Sequence, residues 1–198
     1  MADRHRLRLR APATLGLLLL GTFVLPLARA DEGPATAIPM ASQAGQELLL
    51  KPSTRRADVA ALLQWYETQA NLAYCGVASS VMVLNSLAVP APKAEGYGSN
   101  QFWTQTNLFS LPATRDFVEA SRVAREGMTL EQLHGLLASV GTRVQRYHGE
   151  TLSLEQLRWL LRRGLADGTD RLLANYDRRA LGQSGGGHIS PLAAYDPD

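Results

Sequence analysis

Signals for α-helices dominate the chain from about residue 58 to residue 164, and the two longer β-strand signals follow afterwards. Two predicted helices begin with a capping box, in which two side chains three residues apart bond each other's backbone N–H groups. The boxes are Thr129 with Gln132, before a helix that stops at Gly141, and Ser153 with Gln156, before one that stops near Gly164. Strands are predicted over residues 171–176 and 188–195. Because helices come first and strands last, the order predicts an α+β fold.

Further elements are predicted in the first two thirds of the chain. Residues 48–51 favour a short strand, residues 58–66 a helix and residues 114–125 another helix. Residues 77–87 are apolar on most faces of a helix and end before Pro90. We therefore expect this last helix to be buried in the core.

The first thirty residues have the three parts of a secretory signal peptide. Arginines cluster near the start, an apolar run spans residues 11–27, and small residues precede a cleavage site after Ala30. A membrane anchor is the alternative, but the run is short for a bilayer span and contains Pro26. Residues 31–46 predict a linker, so a folded domain is expected over residues 47–198. We expect a periplasmic or secreted protein without a stable membrane anchor after processing.

Removal of the signal peptide changes the sign of the net charge. The full chain has 20 Lys and Arg against 18 Asp and Glu, a formal net charge of +2. Residues 1–30 carry five arginines and one acid, so the mature chain has 15 basic and 17 acidic residues and a net charge of −2. Binding to nucleic-acid phosphates needs clustered Lys and Arg. The mature composition therefore predicts no nucleic-acid partner.

Cys75 is the single cysteine, and it comes just before the apolar helix predicted over residues 77–87. One thiol cannot form an internal disulfide, so this thiol is inert, joined to another chain or reactive. The free N–H groups and the dipole at a helix N-terminus stabilise a thiolate, which suits a nucleophile. A small buried residue that starts a core helix is the alternative, and the residues alone leave both open.

Two other side chains are candidates to act together with Cys75. Gln69 lies six residues before Cys75, where its amide can donate a hydrogen bond to an oxyanion. His188 follows three glycines at the start of a predicted strand, which is a rigid position for a general base. In this chain the cysteine precedes the histidine, and glycines precede His188. These features favour a catalytic role for His188 as much as a structural one.

The remaining histidines and acids add little to this candidate site. His134 and His148 are interpreted as surface or structural residues, and no spacing of paired metal ligands occurs. A third group usually orients the histidine of such a pair. Asp196 and Asp198 are the only acids after His188, so Asp196 is a weak candidate for that role.

Three separate segments, in the right order, resemble the phytochelatin synthases and their shorter bacterial homologues. The matching segments are residues 69–87 around Cys75, residues 102–109, and Asn175–Tyr176 together with residues 185–191. The resemblance runs from about residue 48 to the end of the chain. It implies a papain-like cysteine protease fold, in which a helical half with the nucleophile helix faces an antiparallel β half with the histidine.

The resemblance also assigns roles to individual residues. It makes Cys75 the nucleophile, His188 the general base and acid, and Gln69 the oxyanion donor. It places substrate beside four more residues, which are Gly76, Asn175, Tyr176 and Gly187. The family's orienting aspartate lies on a strand after the hairpin. We therefore expect it beyond Asp198, and expect the catalytic domain over residues 47–198 to be incomplete at its C-terminus.

The activity that the resemblance implies is acyl transfer on glutathione. Cys75 attacks the carbonyl that joins γ-Glu-Cys to glycine, His188 protonates the leaving amine, and a thioester remains. Water then yields γ-Glu-Cys, whereas a second glutathione yields a phytochelatin. We expect mainly hydrolysis with weak phytochelatin synthesis, and a role in the response to metal ions.

The expected partners follow from the same resemblance. Glutathione is the small-molecule substrate, and Arg178 or Arg179 could meet its carboxylates, with solvated strand-end positions as the alternative. No cofactor is required, while divalent Cd or Zn ions act as activators or enter as a thiolate of the substrate. A homodimer is one assembly that the resemblance allows. Two other functions remain open, a papain-like peptidase acting on α-linked peptides and an inactive thiol- or metal-binding module.

Overall fold

The computed structural model describes residues 37–198. The signal peptide predicted over residues 1–30 and the first part of the predicted linker lie outside the described residues. Every helix within residues 37–198 is too short or too polar to traverse a lipid bilayer. The limits expected for the linker and for the catalytic domain stay predictions.

Seven α-helices come before a two-stranded antiparallel sheet within the described part of the chain. The helices are α1 Gln43–Leu50, α2 Val59–Gln64, α3 Cys75–Ser86, α4 Pro112–Arg115, α5 Ala120–Glu126, α6 Leu130–Ser139 and α7 Leu154–Gly164. The strands are β1 Leu172–Asp177 and β2 Gly187–Leu192, and 3₁₀ turns occupy Asn107–Phe109, Gly149–Thr151 and Arg178–Leu181. The mixed α+β class that the order of elements predicted is thereby confirmed.

Both predicted capping boxes are present. In α6 the Thr129 side chain accepts from the Gln132 N–H group, and the Gln132 side chain accepts from the Thr129 N–H group. The same pair of bonds joins Ser153 and Gln156 at the start of α7. Each box pairs two backbone N–H groups that the helix itself leaves unpaired. The local sequence therefore suffices to predict where α6 and α7 begin.

The strand expected over residues 48–51 is wrong. Those residues lie at the end of helix α1, whose N-cap is Ser42, with its hydroxyl accepting from the Gly45 N–H group. The cap of this helix lies within the predicted linker, where a run of Gly, Ala, Pro and Ser hid it. The Thr54 hydroxyl donates to Leu48 O at 2.7 Å, which holds the turn after α1 against the end of the helix.

The single helix expected over residues 114–125 is divided into α4 and α5. Glu119 is extended, with φ −100° and ψ 126°, and interrupts the helical path. The interruption allows the Phe117 ring to lie against Gly135 of α6, and it buries Val118. Packing against α6 therefore overrides the local helical pattern.

Helix α3 is the centre of the core. All residues of α3 from Gly76 to Asn85 are buried, and its apolar side chains pack against Trp103, Leu108 and the buried face of α6. The Asn85 amide holds the Trp103 backbone in two bonds, donating to Trp103 O at 2.9 Å and accepting from the Trp103 N–H group at 2.8 Å. The segment after α3 is thus tied to the helix itself.

The sheet brings the glycine-rich segment to α3. Strand β2 pairs with β1 so that His188 faces Tyr176 and Ile189 faces Asn175. Ile189 is 2% exposed, and the buried Ser79 hydroxyl of α3 donates to its carbonyl at 3.0 Å. The connection between the strands includes Gly185 at φ 106°, a backbone angle that residues with a Cβ rarely adopt. His188 is therefore held beside the N-terminal half of α3.

Candidate active site

Cys75 is the first residue of α3, as the sequence indicated. Its thiol is free and half-buried, and it packs at the edge of the core. Tyr74 occupies the N-cap position, and its side chain makes no bond to the first-turn N–H groups. Those N–H groups carry the positive end of the helix dipole. A negative charge on a bound substrate is favoured at this place.

His188 is held by two neighbours from the hairpin. The Tyr176 ring meets the imidazole edge-on, with the ring centroids 5.7 Å apart and an angle of 87° between the planes. The Arg178 guanidinium donates from Nη2 to His188 Nδ1 at 2.8 Å. Burial first, and then the Arg178 charge, lower the pKa of His188 below its usual value of 6.5.

The contact with Arg178 fixes the protonation of the imidazole. A guanidinium has only donors, so Nδ1 accepts and the proton of the neutral ring lies on Nε2. The lone pair on Nδ1 is then occupied by Arg178. His188 can take a proton at Nδ1 only when Arg178 moves away from it.

Asp196 lies elsewhere, and the hypothesis that it orients His188 is wrong. Its carboxylate accepts from Lys51 Nζ at 2.8 Å, and this bond lowers the pKa of Asp196. The neighbouring Tyr195 pairs with Arg55 through backbone bonds of 2.8 and 2.9 Å. The end of the described chain is thus tied to the segment after α1.

Gln69 lies in the loop between α2 and α3 and is half-buried. Its amide nitrogen donates to Asn71 O at 2.7 Å. An amide NH₂ group has two N–H bonds, so one remains for another acceptor. The Asn71 side chain in turn accepts from the Ala73 N–H group at 2.9 Å, which stabilises the turn just before Cys75.

One cavity of about 560 Å³ brings Gln69 and His188 together. Its other walls are Asn71, Leu72, Arg178 and the three glycines Gly185, Gly186 and Gly187. Cys75 is not one of the residues that line this cavity. Its neighbour Gly76 packs closely on β2, since a Cβ added to Gly76 would come within 2.9 Å of Ile189 Cδ1. The residue after the cysteine therefore touches the residue after the histidine.

A comparison with family models matches residues 29–198 to the model described as phytochelatin synthase. The match covers most of the chain. The chain belongs to the phytochelatin synthase family.

Relatives from plants and yeast agree with this assignment. A glutathione gamma-glutamylcysteinyltransferase 1 from Lotus japonicus is 28% identical over 162 residues, covering 80% of this chain and 31% of that protein. The Triticum aestivum protein of the same name is 30% identical over 135 residues, covering 68% of this chain and 25% of that protein. The Schizosaccharomyces pombe glutathione gamma-glutamylcysteinyltransferase is 26% identical over 164 residues, covering 82% and 38%. The chain spans less than two fifths of the length of these relatives.

A second cavity of about 500 Å³ lies along β1 in this phytochelatin synthase family member. Three of the residues expected beside substrate line it, namely Asn175, Tyr176 and Gly187, and Gly187 also lines the first cavity. Gly76, the fourth, is buried between Met128 and Ile189. The two cavities therefore flank the start of β2, where His188 lies.

Some side chains at these cavities had little signal in the sequence. His148 lines the second cavity, and its Nε2 lies 3.8 Å from Glu131 Oε1, although it was interpreted as a surface or structural residue. His134 lies on α6 and is half-buried. Within residues 37–198, no three His, Cys, Asp or Glu side chains come together as ligands for a metal ion. The structure also shows that Gln105 bonds to the backbone on both sides of Gln69, although the sequence of its segment, residues 102–109, gave no sign of this.

Proposed function

We propose that this protein is a cysteine-dependent acyltransferase that releases glycine from glutathione. The observation that carries the proposal is that Gln69 and His188 line one cavity, while the helix that begins with Cys75 packs against the strand that carries His188. The chain's family and the printed names of its relatives support the choice of glutathione. In this proposal the helices around α3 and the β1–β2 pair are the two halves of a papain-like fold.

The first half-reaction forms a thioester. The Cys75 sulfur attacks the carbonyl carbon between γ-Glu-Cys and glycine, and the carbonyl oxygen becomes an oxyanion. The second N–H of the Gln69 amide and the first-turn N–H groups of α3 stabilise this oxyanion. The C–N bond then breaks, His188 gives its proton to the leaving amine, and free glycine departs.

The second half-reaction depends on what enters the cavity. Water attacks the thioester carbon, His188 takes the proton, and γ-Glu-Cys leaves with Cys75 restored. The amine of a second glutathione in place of water gives a phytochelatin. The wall formed by Gly185, Gly186 and Gly187 is exposed to solvent, so this wall leaves the cavity open to water. This exposure supports hydrolysis as the main outcome.

Arg178 has a second role in this proposal. Glutathione carries two carboxylates, and a guanidinium pairs with a carboxylate through two parallel bonds. A carboxylate that enters the cavity draws Arg178 away from His188 Nδ1 and frees that nitrogen for the Cys75 proton. Substrate binding and activation of the base are then one event.

Metal ions, location and assembly complete the proposal. Cd or Zn ions enter bound to the thiolate of the substrate, so the protein needs no cofactor of its own. The predicted signal peptide over residues 1–30 supports a periplasmic or secreted protein that acts on exported glutathione. A homodimer is the assembly to test by light scattering.

The test is glycine release from glutathione by the purified protein, made as the full chain and without residues 1–30. We expect glycine, a slightly smaller amount of γ-Glu-Cys and a little phytochelatin by mass spectrometry, and none of them from the Cys75→Ala variant. His188→Gln should lose activity, whereas the control His134→Gln changes another half-buried histidine and should keep it.

Other outcomes would contradict the proposal. Equal glycine release by wild type and Cys75→Ala would exclude the cysteine as nucleophile. Cleavage of α-linked peptides without cleavage of glutathione would make the protein a peptidase. A folded protein that cleaves neither, yet binds thiols or metal ions, would be a binding module.

A further inference from the structure

Gln105 bonds to the loop that carries Gln69, on both sides of that residue. Its side-chain oxygen accepts from the Ala70 N–H group at 2.8 Å. Its side-chain nitrogen donates to Thr68 O at 2.9 Å and to Glu67 Oε1 at 2.7 Å. The donors of this amide are thus fully used, and the side chain holds the backbone immediately before and after Gln69.

Gln105 is itself held in place by a rigid turn. It is 9% exposed, and the Asn107 side chain fixes the turn around it, accepting from the Thr104 N–H group at 2.8 Å and donating to Phe102 O at 2.9 Å. The turn starts at Trp103, which is 1% exposed. The backbone N–H and C=O groups of Trp103 both bond to the side chain of Asn85 in α3. Helix α3 therefore anchors the turn.

Through these contacts, helix α3 fixes the positions of two groups of the proposed site, Cys75 and Gln69. Cys75 lies on α3 directly, and Gln69 is tied to α3 through Gln105 and the turn that Asn85 holds. The loop between α2 and α3 has no helix or strand that would otherwise fix Gln69. We infer that Gln105 is a positioning residue, which holds the Gln69 amide at the distance from Cys75 that an oxyanion requires.

An amide is the side chain that this position demands. It must accept one hydrogen bond and donate two, and one of its acceptors is the carboxylate of Glu67. A carboxylate at position 105 keeps the acceptor for Ala70 but loses both donors and faces Glu67 with a like charge. The inference rests on the proposed function, since it takes Gln69 as the oxyanion donor.

The main variant is therefore Gln105→Glu, which keeps the size of the side chain. Misplacing a catalytic group by about an ångström costs on the order of a hundredfold in rate. We expect kcat for glycine release to fall by about that factor with KM for glutathione little changed. Alkylation of Cys75 by iodoacetamide forms no oxyanion, so its rate should stay at the wild-type value. The matched control is Gln156→Glu, an exposed change of the same type at the start of α7.

A rescue variant and an epistasis test separate positioning from general damage. Adding Glu67→Gln to Gln105→Glu exchanges the donor and acceptor of that pair and removes the like charges. It should restore part of the lost kcat, because the bond to Thr68 O stays lost. In a Gln69→Ala background, Gln105→Glu should cause no further loss, since the group that it positions is gone. Equal slowing of alkylation and acyl transfer, or losses that simply multiply, would overturn the inference.

A second acyl donor keeps this test apart from the choice of glutathione. The Cys75 thiolate attacks the carbonyl of p-nitrophenyl acetate, which leaves an acetyl thioester and releases p-nitrophenolate, and the step also passes through an oxyanion. Suppose that the variants change the rate of p-nitrophenolate release in the same pattern, while glutathione yields no glycine. That result would contradict the proposed function and support the positioning role. If wild-type protein is acylated by neither compound, both ideas are wrong.

Discussion

At the scale of single residues, the contact between Arg178 and His188 is the least expected feature of the site. The histidine of a cysteine–histidine pair gains a positive charge when it takes the thiol proton, and a neighbouring cation opposes that charge. Burial lowers the pKa of His188, and the charge of Arg178, which lies 2.8 Å from Nδ1, lowers it further. The imidazole of the free protein is therefore neutral down to a lower pH than an ordinary histidine.

This contact predicts the pH dependence of the reaction. In Arg178→Met the cation is gone, so the pKa of His188 rises and the ring becomes protonated at a higher pH. The acidic limb of kcat/KM for glutathione should then move to higher pH, because that limb reports the base of the free enzyme. The measurement is kcat/KM between about pH 5 and pH 8.

Arg179→Met is the matched control for this pH profile. Arg179 is exposed and pairs with Asp177 rather than with His188. An acidic limb that stays in place in Arg178→Met, or moves equally in both variants, would contradict the role given to Arg178.

At the scale of elements, the close approach of α3 and β2 sets the distance between the two halves of the site. Gly76 is the point of contact: an added Cβ would come within 2.6 Å of Met128 Cε and 2.9 Å of Ile189 Cδ1. The end of Met128 is flexible and can move, whereas Ile189 is 2% exposed and has little room to move. A larger residue would therefore push β2, and His188 with it, away from α3.

Gly76→Ala should accordingly lower both stability and activity. Alanine gains about 1 kcal/mol over glycine inside a helix, whereas overpacking of a core costs about 1–3 kcal/mol. We expect a net loss of unfolding free energy in urea. In the proposed reaction, glycine release should fall about tenfold or more because the proposed catalytic groups separate. Gly149→Ala is the control for stability, since no atom lies within 4 Å of its added Cβ. Unchanged stability and activity in Gly76→Ala would show that α3 and β2 are not packed closely enough at this point to exclude a Cβ.

At the scale of the whole molecule, a buried ion pair connects three distant parts of the chain. Arg171, just before β1, donates to Asp58 Oδ1 at 2.9 Å and to the Ser86 hydroxyl at the end of α3, also at 2.9 Å. Asp58 is completely buried, and its Oδ2 atom has no hydrogen-bond partner within residues 37–198. Burial raises the pKa of Asp58 to about 6, although the Arg171 charge acts in the opposite direction.

The raised pKa predicts that stability falls as the pH rises. The unfolded carboxyl loses its proton near pH 3.8 and the folded one near 6, so the folded state binds more protons between these values. Unfolding free energy should therefore drop between about pH 5 and pH 7, with Asp58 contributing about 1 kcal/mol.

The comparison with Asp58→Asn isolates this contribution. The amide cannot titrate, and its oxygen can still accept from Arg171, which also donates to Ser86 O and Gly168 O. Urea unfolding followed by tryptophan fluorescence measures both proteins at the two pH values. An equal pH dependence in both would mean that Asp58 keeps an ordinary pKa.

The sequence by itself determined the features whose causes lie within a few residues. The capping boxes at Thr129 and Ser153, the apolar run behind Cys75 and the glycines before His188 each act over one turn or one hairpin. These local signals were enough for the α+β class, for most helix positions and for the family. Cys75 at the helix start and His188 near the start of the second strand are part of the same success.

Only the tertiary structure decided the contacts between distant residues. Lys51 and Asp196 are 145 residues apart, and Gln105 reaches back 35 residues to Ala70. The break before α5 depends on Gly135 of another helix, and Arg178 reaches His188 only because the hairpin closes. No local pattern encodes these partners, because each pairing becomes favourable only after the core around α3 has brought the two groups together.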